Sequence, residues 1–232
     1  MAIFQHIFFF IIFISVISNN EKPKTKSCTM KIFCVGRNYS EHAKELNNEL
    51  PSDPVIFLKP KSALLLPHTP FYYPQFTNEL HYEAELVLHV SKNGKYIEEL
   101  QASKYYDCVS VGIDFTARDV QSELKKKSLP WEKAKTWDNS AVLGTWHPLT
   151  KEMLKKPIEF SMTLNTETVQ KGNSSQMIFS FNRIVSEISQ YFALNIGDLI
   201  YTGTPSGVGE CVVGDTLTGY LFNEKVFEIE IK

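Results

Sequence analysis

The sequence predicts a fold of the α+β class that is mostly β, with a few short helices. Alternation of apolar and polar residues, which is typical of β-strands, recurs along the chain, whereas apolar spacing by three and four is confined to a few segments. The 232 residues are 43% hydrophobic and include 16 Phe and 10 Tyr, which suffices for a packed core. These observations favour one mixed domain over a disordered or repetitive chain.

Each element follows from a local pattern. Three segments have helical features, with Asn38 and Asp119 expected to cap the first two helices. The predicted helices cover 39–46, 116–127 and 178–192. The predicted strands cover 31–35, 55–58, 80–90, 105–114, 160–165, 167–170, 198–202, 216–222 and 225–231. Residues 92–95 are predicted as a hairpin turn, and 131–137 as a loop.

The N-terminal residues differ in composition from the rest. Residues 1–20 are apolar and no Lys or Arg precedes the run, so a cleaved signal, an upstream non-native extension and a membrane anchor all remain open. A polar, lysine-rich stretch follows up to Thr29, and Met30 resembles the start of a folded domain. We therefore expect an apolar leader and linker over 1–29 and a single domain over 30–232.

Charge and cysteine content exclude several classes. A net charge of −2 and a pI near 6.3 give no basic surplus for nucleic acid, and we expect no nucleic-acid partner and no membrane contact. The four cysteines form neither a CxxC pair nor a zinc spacing, so we interpret them as free thiols. Free thiols favour a reducing compartment, and we expect a cytoplasmic protein.

The stretch LHYEAEL places Glu83 and Glu85 on one face of a predicted strand, about 7 Å apart at roughly 3.3 Å per residue. Two carboxylates at this separation repel each other. Either water on an exposed face or a divalent cation in a cleft would offset that repulsion.

Asp114 ends another predicted strand, behind the small residues Ser110 and Gly112, which leave room for an approaching group. A carboxylate at a strand end is also a common neighbour of a helix cap. If Asp114 meets Glu83 and Glu85, the three carboxylates would form a hard oxygen site for Mg²⁺ or Mn²⁺.

Two residue pairs lie three positions apart on predicted helices and so share a face. His42 with Glu45 would suit a general base, or would be an ordinary surface pair. Arg118 with Gln121 could hold a substrate carboxylate, or could face solvent. The glycine-rich segment 202–209 lacks the ending of a nucleotide P-loop, which leaves an oxyanion-binding turn or a plain tight turn.

Seven motifs in order resemble the fumarylacetoacetate hydrolase family, closest to its short single-domain acylpyruvases and oxaloacetate decarboxylases. The motifs are GRNYSEHAKEL, FLKP, LHYEAEL, GIDFTARDVQ, KKKSLPWEKAK, MIFSFNRIV and GDLIYTGTPSGVG. The resemblance spans Met30 to the C-terminus and implies a rolled mixed β-sheet, a single catalytic domain over 30–232 and a homodimer.

The resemblance also implies roles for individual residues. The metal ligands would be Glu83, Glu85 and Asp114, and the metal would be Mg²⁺ or Mn²⁺. The catalytic residues would be His42, Glu45 and Lys135, the first two in a lid that orders over substrate. The substrate-binding residues would be Arg37, Arg118, Gln121 and Thr204.

The expected function is metal-dependent cleavage of a C–C bond in a small anionic 2-oxo acid. Acylpyruvate hydrolysis or oxaloacetate decarboxylation would give pyruvate through a metal-stabilised enolate. One alternative is an isomerase or tautomerase of oxaloacetate, or of an unsaturated 2-hydroxy dioate, at the same site. A second alternative is a non-catalytic binding module that keeps the fold.

Overall fold

A computed structural model describes residues 30–41, 50–67 and 69–232, and three β-sheets organise them. The strands are β1 (Ile32–Gly36), β2 (Val55–Lys59), β3 (Leu80–Tyr82), β4 (Ala84–Val90), β5 (Tyr106–Asp114), β6 (Thr116–Ala117), β7 (Ala141–Leu143), β8 (His147–Pro148), β9 (Glu159–Leu164), β10 (Glu167–Asn173), β11 (Leu199–Tyr201), β12 (Gly209–Glu210), β13 (Thr216–Leu221) and β14 (Glu224–Glu230). The predicted class, mostly β with few helices, is confirmed.

The largest sheet is mixed. Its order is β2-β1-β11-β4-β5-β7, with β8 also paired to β5, and only the β1–β11 pair within it is parallel. The other sheets are antiparallel, in the orders β10-β9-β13-β14 and β12-β3-β6. The parallel pair joins residues far apart in sequence, with Ile32 opposite Leu199.

Both faces of the large sheet are buried. Leu86 and Leu88 point into the main core, while Val87 and Tyr201 belong to a second, smaller apolar cluster on the opposite face. Successive side chains along β4 therefore pack into two different apolar clusters, one on each face of the sheet. This burial removes water as the offset for carboxylates on that strand, because Glu85 lies on the same face as Val87.

Within the described ranges, α-helices that flank the sheets are α1 (Arg118–Lys126), α2 (Glu132–Lys135) and α3 (Phe181–Tyr191). Ser180 caps α3 by accepting a hydrogen bond from the backbone of Arg183 at 3.2 Å. The buried residues of α3 include Phe181, Ile184, Val185 and Ile188, the spacing from which the helix was predicted.

Several sequence predictions need correction. The predicted strand 80–90 is two strands, because the chain leaves one sheet for another at Glu83. Residues 92–95 do not form a tight hairpin, since a longer connection with a 3-10 helix (Glu99–Lys104) joins β4 to β5. The predicted loop 131–137 contains α2. The predicted helix 116–127 begins only at Arg118, because Thr116 and Ala117 form β6. Strands β7, β8 and β12 were missed because each is only two or three residues long.

One predicted cap differs from expectation, and the helix that Asn38 was expected to cap lies mostly outside the described residues. Asp119 completes no capping box at α1; its carboxylate accepts hydrogen bonds from the Thr77 hydroxyl and the Asn78 backbone instead. The side chain of Asn38 bonds to the backbone of Phe179 and Thr202, which ties three loops together.

Some predictions fall outside the described residues. These are the leader and linker over 1–29, Cys28, and most of the helix 39–46, including His42 and Glu45. Within the described ranges Cys34, Cys108 and Cys211 are free thiols, and Cys108 is partly exposed. No helix in those ranges combines the length and apolar character needed to cross a bilayer.

Candidate functional site

The candidate site lies where two neighbouring chain segments change sheets. The segment from β3 to β4 crosses at Glu83, and the segment from β5 to β6 crosses at Phe115. The backbone N–H of Asp114 donates to the carbonyl of Glu83 at 2.9 Å, which holds the two crossings together. We call the place where the two crossings meet the joint. Carboxylate side chains of residues at the joint therefore lie close together.

Glu83, Glu85 and Asp114 each direct a carboxylate oxygen to the joint, and these oxygens lie within 4.8 Å of one another. All three residues are at least 94% buried. Such a cluster of hard oxygen donors suits a divalent cation. The structure thus brings together the three predicted ligands; their role as ligands remains a prediction.

At the joint the chain changes sheets, and side chains there form hydrogen bonds with the backbone groups of Ala84. Gln170 accepts a hydrogen bond from the Ala84 backbone N–H at 2.8 Å and donates to the Thr204 hydroxyl at 2.8 Å. Thr204 in turn donates to the Ala84 carbonyl at 2.8 Å. Because Ala84 separates Glu83 from Glu85, this small network fixes the backbone that carries both carboxylates.

Three buried cations compensate the three carboxylates. Arg118 Nη2 lies 2.6 Å from Glu83 Oε1. Lys135 Nζ bridges Glu83 Oε2 at 2.7 Å and Asp114 Oδ2 at 2.8 Å. Lys59 Nζ lies 2.8 Å from Asp114 Oδ1. Burial of these charges is tolerated because Glu83 and Asp114 contact cations, while Glu85 accepts a backbone hydrogen bond from Gly203.

Asp114 Oδ1 differs from the other oxygens. It accepts no hydrogen bond within the described ranges, although it is buried. Lys59 lies close enough for an ion pair, but its three N–H groups serve the carbonyl of Lys135 and the carbonyl and hydroxyl of Ser140. An oxygen without a hydrogen bond beside two other carboxylates fits a coordinated cation.

Glu85 is held from the opposite side of the joint. The backbone N–H of Gly203 donates to Glu85 Oε2 at 2.8 Å, so this donor of the glycine-rich segment serves a carboxylate of the protein. Burial raises the pKa of Glu85 well above its usual value, and the charges of Asp114 and Glu83 raise that pKa further. A cation at the joint would counter all of these effects.

Lys135 stays charged in this setting. Burial alone disfavours its ammonium form, but Asp114 and Glu83 outweigh that cost and raise the pKa of Lys135 above its ordinary value. A permanently protonated lysine acts as a fixed positive charge rather than as a base.

The pair Arg118 and Gln121 is also formed. Arg118 Nη1 donates to Gln121 Oε1 at 2.7 Å, and Arg118 Nε donates to His81 Nδ1 at 3.3 Å. Both Arg118 and Gln121 are buried, so the alternative of an ordinary exposed helix face does not hold.

A small pocket opens onto the joint, with an interior of about 40 Å³ that suits an ion, waters and a small acid group. Its lining consists of Val35, Gly36, Arg37, Phe57, Glu83, Glu85, Asp114, Arg118, Gln121, Lys125, Trp131, Lys135 and Thr204. The lining contains every predicted site residue except His42 and Glu45, which lie outside the described residues.

Two residues at the joint were missed in the sequence. Lys59 was interpreted only as the end of a strand before Pro60, and Gln170 only as part of a hairpin. The available signal for Lys59 was its place directly after the apolar run 55–58, since a lysine drawn into a core needs a partner. The structure shows that Lys59 is 99% buried. Gln170 gave no signal, because its partner Ala84 is 86 residues away.

Known proteins resemble the chain over most of its length. A mitochondrial oxaloacetate decarboxylase of Dictyostelium discoideum is 41% identical over 188 residues, covering 81% of this chain and 86% of the relative. A mitochondrial oxaloacetate tautomerase, FAHD1 of Bos taurus, is 40% identical over 188 residues, covering 80% and 84%.

A solved structure of a known enzyme has a similar fold. It is that of fumarylpyruvate hydrolase from Pseudomonas aeruginosa in complex with Mn²⁺ and pyruvate, with 33% identity, a TM-score of 0.81 and coverage of 88% of this chain and 89% of that chain. The sequence model of the family described as "Fumarylacetoacetate (FAA) hydrolase C-terminal" matches residues 31–232. The chain belongs to the fumarylacetoacetate hydrolase family.

Proposed function

We propose that this protein is an enzyme that cleaves a C–C bond in a small 2-oxo acid with a divalent metal ion. The reaction is acylpyruvate hydrolysis, oxaloacetate decarboxylation, or both, and the product is pyruvate. The observation that carries the proposal is the buried cluster of Glu83, Glu85 and Asp114 with its unbonded oxygen, in a chain whose relatives are enzymes on such acids.

The metal is Mg²⁺ or Mn²⁺ in this proposal. Carboxylate oxygens are hard ligands that suit both ions, and the Pseudomonas aeruginosa neighbour is named with Mn²⁺ and pyruvate. The ion would supply Lewis-acid stabilisation of negative charge on the 2-oxo oxygen.

Residues of the chain position the acid and its charge. Arg118 and Gln121 bind the carboxylate next to the 2-oxo group, because Arg offers a planar fork of donors from a fixed position. Lys135 holds its positive charge against the enolate that forms when the C–C bond breaks.

The water-activating step falls to residues outside the described ranges. With an acylpyruvate, His42 oriented by Glu45 removes a proton from the water that attacks the distal acyl carbonyl. With oxaloacetate, carbon dioxide leaves and no water attack is needed. One pocket therefore serves both reactions.

A tautomerase is the second candidate, because the Bos taurus relative bears that name. The same basic group would move a proton between carbon and oxygen of oxaloacetate without breaking a C–C bond. Product analysis separates the two candidates, since only cleavage yields pyruvate.

The experiment measures pyruvate release from acetylpyruvate and from oxaloacetate, each with Mg²⁺, Mn²⁺ or EDTA, while absorbance follows the enol form of oxaloacetate. Metal-dependent pyruvate from either substrate supports cleavage. An enol signal that decays faster with enzyme, without pyruvate, supports the tautomerase. Metal-independent activity would contradict both.

The proposal also covers the domain organisation and the oligomeric state of the protein. Residues 30–232 act as a single catalytic domain and 1–29 as a dispensable leader and linker. The protein is a homodimer, and the partly covered Leu143 and Trp146 on the second face of the large sheet are consistent with a partner there. Activity of a 30–232 chain and its mass by light scattering test these points.

Location is the last part of the proposal. The two relatives described above are mitochondrial, whereas the prediction for this chain is the cytoplasm. Fractionation of cells that express the full chain decides between them, and recovery in mitochondria would overturn the cytoplasmic prediction.

A further inference from the structure

Arg118 is held by three partners in different parts of the chain. Its Nη1 donates to Gln121 Oε1 at 2.7 Å, its Nη2 to Glu83 Oε1 at 2.6 Å, and its Nε to His81 Nδ1 at 3.3 Å. A guanidinium carries five N–H groups, and these bonds leave two of them for a ligand. The three partners therefore set the direction in which the remaining N–H groups point.

His81 differs from the other two partners of the guanidinium. Gln121 belongs to the same helix as Arg118, and Glu83 is a proposed metal ligand that also contacts Lys135. His81 has neither role. It is not among the described residues that line the pocket, so it would act on a substrate only through Arg118.

The backbone fixes the place of His81 relative to Arg118. His81 lies opposite Thr116 in the pair of β3 with β6, and Arg118 follows Thr116 by two positions. The backbone N–H of Arg118 donates to the Glu79 carbonyl at 2.8 Å, which continues this pairing past the end of β6. The contact between the imidazole and the guanidinium is therefore a result of strand pairing.

The direction of the hydrogen bond fixes the state of the imidazole ring. A guanidinium only donates, so Nδ1 of His81 carries no proton, and the ring proton lies on Nε2. Nε2 is 3.4 Å from Glu79 Oε1. A neutral acceptor holds Arg118 without placing a further negative charge beside the position at which an acid would bind.

We infer that His81 is a positioning residue for substrate binding. It accepts a hydrogen bond from Arg118 Nε and so directs the two remaining N–H groups of the guanidinium toward the substrate carboxylate. This inference rests on the proposed function, because it takes Arg118 as the residue that binds that carboxylate. It holds equally for cleavage and for tautomerisation of the acid.

The test compares KM and kcat for turnover of oxaloacetate or acetylpyruvate in the wild type, His81→Leu and His81→Asn. His81→Leu removes the acceptor, so KM should rise on the order of 10-fold. The turnover number kcat should change by less than about threefold, because substrate and transition state share the carboxylate contact. Asn places its amide oxygen near the position of Nδ1 in histidine, so His81→Asn should keep KM within about threefold of the wild type.

Two further variants complete the set. His81→Gln covers the case in which His81→Leu does not fold: it stays polar, but its amide lies near the position of Nε2, so KM should rise as for leucine. His147→Leu is the matched control, since His147 is 26% exposed and lies 3.5 Å from Glu224, but belongs to β8 rather than to the strand pair beside Arg118. Its KM should not change. Thermal unfolding without ligand checks the fold of each variant.

Two results would overturn the positioning role. One is a wild-type KM in His81→Leu, and the other is a KM in His81→Asn as high as that in His81→Leu. The wild type is active in both cases, so the proposed function would stand.

A wild type that turns over neither acid would count against the proposed function instead. Calorimetry with Mn²⁺ and pyruvate would then decide the positioning role. Weaker binding of pyruvate to His81→Leu that His81→Asn restores would support the role, whereas equal affinities, or no binding to the wild type, would overturn it.

Discussion

The inner cluster and the rim pair treat positive charge in opposite ways. In the inner cluster, which comprises Glu83, Glu85, Asp114, Lys59, Arg118 and Lys135, three buried cations contact the carboxylates of Glu83 and Asp114, and a backbone N–H donates to Glu85. The rim pair, Arg37 and Lys125, lines the same pocket and forms no ion pair in the described ranges, although the charge of Glu83 partly offsets the lowering of the Lys125 pKa. The difference indicates that folding compensates charge where the side chains are buried, whereas the charge of Lys125, which solvent reaches, has no ion pair in those ranges.

The largest expected effect comes from breaking the inner cluster at Asp114. Asp114→Asn keeps the shape but removes a negative charge and replaces one carboxylate oxygen by an NH₂ group that cannot bind a metal, so Mn²⁺ affinity should fall sharply. Metal-dependent turnover should drop by at least about a thousandfold, equivalent to ~4 kcal/mol of transition-state stabilisation. Calorimetry with Mn²⁺ and steady-state rates measure the two effects.

The control for this change is Glu152→Gln, which alters a carboxylate that is 79% exposed. It should leave metal binding and turnover unchanged. An Asp114→Asn protein that binds Mn²⁺ as tightly as the wild type would contradict the assignment of the metal site.

The next effect is on stability and comes from Lys59. Lys59→Met leaves Asp114 Oδ1 without its cation and leaves the carbonyls of Lys135 and Ser140 without a shared donor. Removing one partner of a buried ion pair costs about 3–5 kcal/mol of unfolding free energy. Urea unfolding in EDTA measures this loss.

Lys61→Met is the matched control for Lys59, because Lys61 lies two positions away and is exposed. Its unfolding free energy should stay within about 0.5 kcal/mol of the wild type. A similar value for Lys59→Met would show that the inner cluster does not depend on mutual compensation.

A smaller effect is expected at Gln170, which stabilises the backbone of the inner cluster without contributing charge. Gln170→Leu removes the bonds to Ala84, Thr204 and the Pro205 carbonyl, and should lower the unfolding free energy by about 1–3 kcal/mol. Metal affinity should weaken as well, since the carboxylates of Glu83 and Glu85 lose their fixed backbone. Gln101→Leu, at an exposed position, serves as the control for both measurements.

The smallest effect is expected at the rim, and it has the opposite sign. The pKa of Lys125 is lowered in the folded protein, so the unfolded chain binds its proton more readily and wild-type stability is lost as pH falls through that lowered pKa. Lys125→Met should therefore be as stable as the wild type or slightly more stable near pH 7.5, by no more than about 0.5 kcal/mol.

The advantage of Lys125→Met should shrink as pH rises toward about 10.4, the ordinary lysine value, where both states lose the proton. Urea unfolding at pH 7.5 and at the highest pH that the fold tolerates measures this trend. A variant clearly less stable than the wild type near neutral pH would show that Lys125 has a stabilising partner in the ligand-free protein.

Local sequence patterns predicted some features of the site, but not those that depend on packing. Period-two alternation placed Glu83 and Glu85 on one face, and spacing by three paired Arg118 with Gln121, because both patterns are local. Motif order supplied Asp114 and Lys135. Nothing local indicated that both sheet faces are buried, or that the strand breaks at Glu83, because those features depend on packing across the whole domain.

Long-range partners explain the remaining errors. Asp119 was expected to cap its own helix, but its carboxylate bonds to Thr77 and Asn78, some 40 residues earlier. Lys59 and Gln170 likewise contact atoms more than 70 residues away. Side chains of this kind can be assigned only after the topology is known.

The parallel pairing of β1 with β11 has a consequence for the order in which the protein is made. β1 can pair with β2 soon after both are synthesised, yet its second neighbour arrives only with Leu199–Tyr201, and the Lys31 backbone bonds to Asp198 across 167 residues. Gly203 and Thr204, which hold Glu85 and Ala84, emerge later still. A nascent chain therefore carries an apolar strand with one open edge until β11 is made, and it completes the site only after Thr204 has emerged.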